Sequence, residues 1–396
     1  MTRQDEFLSV QGPTNQSPYL IDVDYAEGIY IYDKSGKSYM DMIAGVAVNN
    51  IGHKHPKVIS ALKTQIDRHL HVMVYGEFIQ DSQLNFSKTL TSLLPENLNC
   101  VYTVNSGTEA NEAALKLAKR ITGRIELVSF RGSYHGSTHG SMSVSGNESK
   151  KMAFRPLLPD VRFLSLNSIE QLSQITTKTA GVIIETIQGD AGVRMPETEF
   201  MLALRNRCTA VGAQLIFDEV QCGMGRTGKL FAFEHFGIVP DILTLGKALG
   251  GGMPIGALVS SNKKLFEFSY NPMLGHITTF GGHPVVCAAA NACLEVLETE
   301  INFNEVERLG NLLETLIKTE EEIIETRRIG MMFAFDMISF ERVEKVVKRC
   351  LDKGLISFWF LSQPNSFRLS PPLNINEEEI RMAAEIIISS IQETKI

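Results

Sequence analysis

An aspartate closing one apolar run and a lysine closing another hold the most chemistry in this sequence. The first run is Ile216-Phe217-Asp218-Glu219-Val220-Gln221. The second is Leu245-Gly246-Lys247-Ala248-Leu249, followed by Gly250-Gly251-Gly252. Each reads as a buried strand that ends in a charged group. Buried lysines are rare, and desolvation shifts the amine toward its nucleophilic form. A nucleophilic amine beside a carboxylate matches the needs of pyridoxal 5'-phosphate. Lys247 would form a Schiff base with the cofactor aldehyde and then act as general base. Asp218 would keep the pyridine nitrogen protonated, so that the ring accepts electrons.

Such a cofactor also needs a phosphate cradle, an aromatic face and a carboxylate clamp. The segment Asn105-Ser106-Gly107-Thr108-Glu109 follows a strand and opens a helix, with Ser106 and Glu109 spaced as a capping box. Gly107 lets a phosphate approach the backbone, and the helix N-terminus supplies free N–H groups. By itself this is also an ordinary capped helix. Either Tyr134 or His135, in Gly132-Ser133-Tyr134-His135-Gly136-Ser137, offers a ring to stack on the cofactor; the alternative is a solvated turn. Glu185 and Asp190 close a further strand; two carboxylates there are unusual for a mere loop, and helix-capping acids are the lesser alternative. Val220 would pack on the ring face opposite the aromatic, and Gln221 would reach the phenolic oxygen. In His276-Ile277-Thr278-Thr279-Phe280-Gly281-Gly282, a hydroxyl would complete the phosphate site. Arg368, alone among apolar neighbours in Phe367-Arg368-Leu369, meets either a substrate carboxylate or a structural ion pair. Gly223-Met224-Gly225-Arg226-Thr227-Gly228 lacks P-loop spacing, and His53 and His55 lack further metal ligands.

These residues must be held by elements the pattern predicts. Continuous apolar runs at Val101–Val104, Ile125–Phe130, Val161–Leu166, Val182–Glu185, Leu215–Asp218, Ile242–Leu245 and Ile255–Val259 alternate with helix-period stretches. Strands buried on both faces imply a mostly parallel sheet covered by helices, with ligands at the strands' carboxyl ends. Helical spacing from Phe200 ends at Gly212. Arg342–Leu351 reads as a helix stopped by Gly354. Glu377–Gln392 reads as a helix capped by Asn376 and Glu379, and short strands fall near 330–337 and 366–369. The expected organisation is a large sheet domain over 50–290 and a smaller α+β domain from 1–49 and 291–396.

The 396 residues are 44% hydrophobic and 21% charged, with a formal net charge of −7. No Lys/Arg stripe points to nucleic acid, and no apolar run reaches the roughly 18 residues that span a bilayer. The start, Met1-Thr2-Arg3-Gln4-Asp5, has no apolar signal region. Six scattered cysteines without a C-x-x-C pair suit reduced thiols in a cytoplasm.

Taken together, the motifs resemble the class III pyridoxal-phosphate aminotransferases, the subgroup of acetylornithine, ornithine and 4-aminobutyrate aminotransferases. The resemblance starts at Tyr30-Ile31-Tyr32-Asp33 and Gly52-His53-Lys54-His55-Pro56 and runs to Phe367-Arg368-Leu369-Ser370-Pro371-Pro372. It implies fold type I and a homodimer with sites at the interface. It implies a ping-pong exchange between an amine donor and a 2-oxo acid. Lys247 and Asp218 keep the roles above. Gly107 and Thr108 bind phosphate, Thr279 reaches the neighbouring subunit's phosphate, Tyr134 stacks, and Glu185 sits near the ring. Arg368 takes the α-carboxylate and pairs with an acid when an ω-amine is bound.

Two positions depart from the family pattern. The acid that pairs with the arginine is Asp190 here, one methylene short of glutamate, a deficit of about 1.5 Å. Ser137 stands where ornithine-type relatives carry an arginine for the distal carboxylate of glutamate and 2-oxoglutarate. Losing it costs several kcal/mol unless Lys150, Lys151 or Arg155 substitutes. The acceptor is then 2-oxoglutarate or pyruvate. The alternatives are an aminomutase or a pyruvate-specific amine transaminase on the same fold, and, in another class, a nicotinamide-dependent module.

Overall fold

The seven apolar runs form a single sheet, and their order across it is not their order in the chain. In the computed structural model, which describes residues 2–395, the strands lie side by side as Cys100–Val104, Gly256–Ser260, Ile242–Gly246, Gln214–Asp218, Thr179–Glu185, Glu126–Phe130 and Val161–Leu164. Six run in one direction, and Gly256–Ser260 opposes both of its neighbours. Every residue of Thr179–Glu185, Ile242–Gly246 and Gly256–Ser260 is buried, as continuous apolar runs require when helices cover both faces. The register pairs Glu185 with Asp218, Asp218 with Thr244, and Gly246 with Gly256. Glu185, Asp218 and Lys247 therefore reach the carboxyl edge of the sheet on three adjacent strands.

The helix Gly107–Thr122 lays Ala110, Ala113, Ala114, Leu117 and Ala118 on the sheet, and Gly123 ends it in the left-handed region. Thr198–Val211 ends likewise at Gly212. A second sheet joins Glu325–Ile329, Met332–Asp336, Ser366–Leu369 and Phe358–Trp359. The region expected near 330–337 is thus half of a hairpin. Its first strand is hidden in the sequence because Arg327 and Arg328 interrupt the apolar pattern. A third sheet ties the two ends of the chain together, as Leu355–Ile356 pairs in parallel with Ser38–Asp41. The C-terminal helices are Phe340–Asp352 and Glu377–Glu393. Asn376 and Glu379 form the reciprocal cap of the second. Met1 and Ile396, the outer ends of the expected small domain, lie outside the described residues.

Arg226 locks the two ends of the chain to the sheet region. It is fully buried and donates to Asn50 Oδ1, to Pro371 O at 2.5 Å and to Met331 O at 3.2 Å. Among the described residues no helix is long and apolar enough to cross a membrane. His53 stands 2.9 Å from Asp41, and His55 precedes the helix Pro56–Arg68 as the cap residue. No cluster of metal-ligating side chains occurs among the described residues.

Candidate active site

The strand ends open into a cavity of about 210 Å³ whose walls include Asp218, Lys247, Glu185, Tyr134, Thr108 and Gln221. Three donors fix the Asp218 carboxylate. Asn111 Nδ2 donates to Oδ2 at 2.7 Å, His135 Nδ1 stands 2.8 Å from the same oxygen, and the Val220 N–H donates to Oδ1 at 3.0 Å. Asn111 is itself held, since Nδ2 also donates to His135 O and Thr244 Oγ1 donates to its Oδ1, both at 2.7 Å. Asp218 is buried, and no lysine or arginine lies within ion-pair distance of it among the described residues. A buried carboxylate in that position is suited to a cationic N–H on a ligand in the cavity.

Lys247 follows Gly246 at the end of its strand with φ of +45°. A lysine in the left-handed region is uncommon, and backbone strain of this kind gathers at functional sites. Its side chain faces the cavity. Burial lowers the ammonium pKa, while the negative charges of Asp218 and Glu185 oppose the shift. Glu185 is buried. Its oxygens accept the N–H groups of Tyr134 at 2.7 Å and of Gly189 at 3.0 Å. Burial pushes its carboxyl up to about 7. Asp218 adds to the rise, and His135 opposes it.

Gly107 is required at the helix start. A Cβ there would lie 2.5 Å from Val220 Cγ1, so the helix end and the Asp218 turn touch through a residue with no side chain. The N–H groups of Gly107 and Thr108 have no acceptor inside the helix and sit on the cavity wall. Gly136 is at φ +130° against Thr108 Oγ1. The residues fit pyridoxal phosphate. Free amides stand at a helix N-terminus for a phosphate, and the buried Asp218 carboxylate on the cavity wall would meet a ring nitrogen. Tyr134 supplies a half-exposed ring, and Lys247 an amine at the strand end.

Other sequence expectations change in detail. Ser106 is not on the cavity wall. Its hydroxyl caps the helix by accepting the Glu109 N–H at 3.3 Å. Glu109 reaches back to the Asn105 N–H instead of the Ser106 N–H, so the capping box is only half formed. Tyr134 and His135 part company, with His135 buried against Asp218 and Tyr134 left to offer its face. Thr279 is exposed and outside the cavity of its own chain. Ser137, Val220 and Gln221 line the cavity.

The expected Asp190–Arg368 pair is absent. Asp190 Oδ2 is taken by the Lys150 ammonium and by the Ser362 hydroxyl at 2.5 Å. Its shorter side chain is thereby held by nearer partners. Arg368 lies among Phe358 and Phe360, buried, with no carboxylate in ion-pair range among the described residues and its Nε unbonded. Burial lowers its pKa, and Asp190 opposes that at longer range. Of the three substitute cations, only Lys150 comes to this site, 5.5 Å above the Tyr134 ring. Lys151 donates to Ser145 O, and Arg155 pairs with Glu148. The sequence reading missed Asn111 and Ser362. An asparagine on the apolar face of the helix, one position after Ala110, was the available sign of Asn111. No local sign marked Ser362.

The family described as "Aminotransferase class-III" matches residues 11–391. The acetylornithine aminotransferase of Methanocaldococcus jannaschii is 38% identical, over 89% of this chain and 89% of that protein. A LysW-aminoadipate semialdehyde/glutamate semialdehyde transaminase of Sulfurisphaera tokodaii is 39% identical over 78% and 80%. The solved structure of ornithine aminotransferase from Toxoplasma gondii superposes with a TM-score of 0.91, at 27% identity, over 99% of this chain and 96% of that one.

Proposed function

We propose that this chain, which belongs to the class-III aminotransferases, moves an amino group from an ω-amino acid or related amine to a 2-oxo acid in a ping-pong cycle. It is a pyridoxal-phosphate-dependent aminotransferase of fold type I. The observation that carries the finer reading is the convergence of Asp218 and Lys247 on one cavity at the strand ends. Bound there, the cofactor supplies reversible carbonyl–amine chemistry and a ring that withdraws electron density from the reacting carbon.

The protein's own groups divide the remaining work. Lys247, with its ammonium destabilised by burial, supplies the amine that holds the cofactor and is displaced by substrate. Its Nζ then carries a proton away from the carbon bearing the substrate nitrogen and later returns one. Asp218, oriented by Asn111 and His135, holds the ring N–H. The Gly107 and Thr108 amides bind phosphate, Val220 and Tyr134 enclose the ring, and Gln221 and Glu185 face its oxygen side. Arg368 binds a substrate carboxylate. Its buried, unpaired guanidinium supports that role, because a cation so placed lacks the anion that burial demands.

A homodimer is part of the proposal. Leu70, Phe78, Ile79 and Phe280 are more than half exposed, and His71 stacks on His283 and packs at a tilt against Phe280. An apolar patch of this kind beside Asn105 suits a second copy, whose Thr279 would then face this site's phosphate end. A monomer in light scattering at micromolar concentration would sink it. We also propose the division into 50–290 and 1–49 with 291–396, with all seven strands of the large sheet inside the first part and the helix Pro284–Thr299 running across the second boundary. The six free thiols support a cytoplasmic location, which cell fractionation tests by finding the protein inside or outside that compartment.

The deciding experiment is a half-reaction scan on the purified enzyme. It offers ornithine, N-acetylornithine, 4-aminobutyrate, lysine and β-alanine, and follows the cofactor absorbance near 400–430 nm. A donor that bleaches this band, with recovery on adding a 2-oxo acid, supports the reading. A protein that releases no amino product to any acceptor overturns it.

A further inference from the structure

We propose that the Lys150–Asp190 pair restricts the acceptor to 2-oxo acids carrying a single carboxylate. The proposal rests on the reading of Arg368 as the carboxylate-binding residue. Asp190 is buried, and its Oδ2 is shared by the Lys150 ammonium and the Ser362 hydroxyl. Asn147 Nδ2 donates to Ser362 Oγ at 3.0 Å and fixes that hydroxyl in turn. Lys150 is thereby held over Tyr134, a wall of the cavity.

Charge counting behind the Tyr134 wall of the cavity, where Lys150, Asp190 and Arg368 lie outside its lining, gives the selectivity. Lys150 and Asp190 cancel. Arg368 is the buried guanidinium here without an ion-pair partner among the described residues, while Arg131 and Arg194, which also lack one, are exposed to solvent. Lys151 is bonded to Ser145 O and lies 3.6 Å from Glu148, Arg155 pairs with Glu148, and Arg327 pairs with Asp336 at 2.6 Å. Ser137 contributes no charge. One buried guanidinium without a counter-ion matches one carboxylate. A second carboxylate on the same molecule would have to displace Asp190 from Lys150 or lie against Asp190, and like charges in a water-poor site repel strongly. The pair also keeps Asp190 away from Arg368, which stays open to the first carboxylate.

The test uses the holoenzyme with one amine donor and either pyruvate or 2-oxoglutarate. The wild type is expected to favour pyruvate in kcat/KM by about ten-fold or more. Asp190→Asn keeps the side-chain shape and removes the opposing charge. It is expected to shrink that preference by about ten-fold, through the KM for 2-oxoglutarate. Lys150→Met is expected to raise the KM for both acceptors, because Asp190 is then left uncompensated beside Arg368. Calorimetric titration of the holoenzyme with glutarate and butyrate gives a second readout independent of turnover, with glutarate gaining selectively in Asp190→Asn. A wild type that prefers 2-oxoglutarate, or an Asp190→Asn enzyme that changes both acceptors equally, overturns the proposal alone. If Arg368→Met leaves both KM values unchanged, the reading of Arg368 falls, and this proposal with it.

Discussion

Replacing Asn111 by alanine tests the arrangement behind Asp218 most directly. Asn111 makes three buried hydrogen bonds at 2.7 Å, with Asp218 Oδ2, His135 O and Thr244 Oγ1. A bond to a charged acceptor contributes about 1.5–3 kcal/mol and each neutral one about 1 kcal/mol. The loss is therefore about 4 kcal/mol. Unfolding entropy of roughly 2.1 cal/mol/K per residue gives about 0.8 kcal/mol/K for a chain of this length, so the melting temperature should fall by about 5 °C. Asp218 also loses one of its two Oδ2 partners, so its carboxylate turns more freely and holds the ring nitrogen less well. The expected result is weaker pyridoxal phosphate binding and a kcat lowered by about ten-fold or more, with the KM for both substrates little changed. The assays are a thermal melt of the cofactor-free protein, a cofactor titration by absorbance and steady-state kinetics. A variant that melts within about 1 °C of wild type and binds cofactor equally well would refute the reasoning.

Three further outcomes follow from the same geometry. Lys247→Ala should lower turnover by about 1000-fold or more while the protein still folds, as circular dichroism and kinetics together will report; a rate near wild type would remove Lys247 from its role. Arg368→Met and Arg226→Met should move stability in opposite directions. Arg368 is buried with no counter-ion, so its loss should leave the melting temperature unchanged or raised, although KM rises. Arg226 satisfies Asn50 and two buried carbonyls, so its loss should cost about 3 kcal/mol; equal effects in a melt would contradict this contrast. Burial raises the Glu185 carboxyl from an ordinary 4.5 to about 7. A raised carboxyl contributes stability that is complete below its unfolded value and is lost as pH rises through its folded one. The cofactor-free protein should therefore lose stability between pH 4.5 and 7. Glu185→Leu should reduce that slope, the remainder coming from Glu219, whose buried carboxyl is raised to about 8, and an unchanged slope would mean that Glu185 stays ionised.

The strands of the large sheet were legible because burial on both faces writes a continuous apolar run. The charged residues that end two of those runs, Asp218 and Lys247, stood out for the same reason. Gly212 and the Asn376–Glu379 cap marked helix ends by rules confined to a few neighbouring residues. Glu325–Ile329 was not legible, since its pairing partner and the ion pairs of Arg327 and Arg328 come from distant chain.

The sequence by itself determined the chemistry on offer: which side chains could serve as nucleophile, acid and cation, and which ends of strands carry them. Those facts depend on residue type and local spacing. Tertiary structure decided the partners. Asn111 reaches Asp218 across 107 positions of sequence, Asp190 meets Lys150 across 40 and Ser362 across 172. Whether Asp190 joins Arg368 or Lys150 depends on how elements from distant segments fold together, and no local pattern encodes that placement.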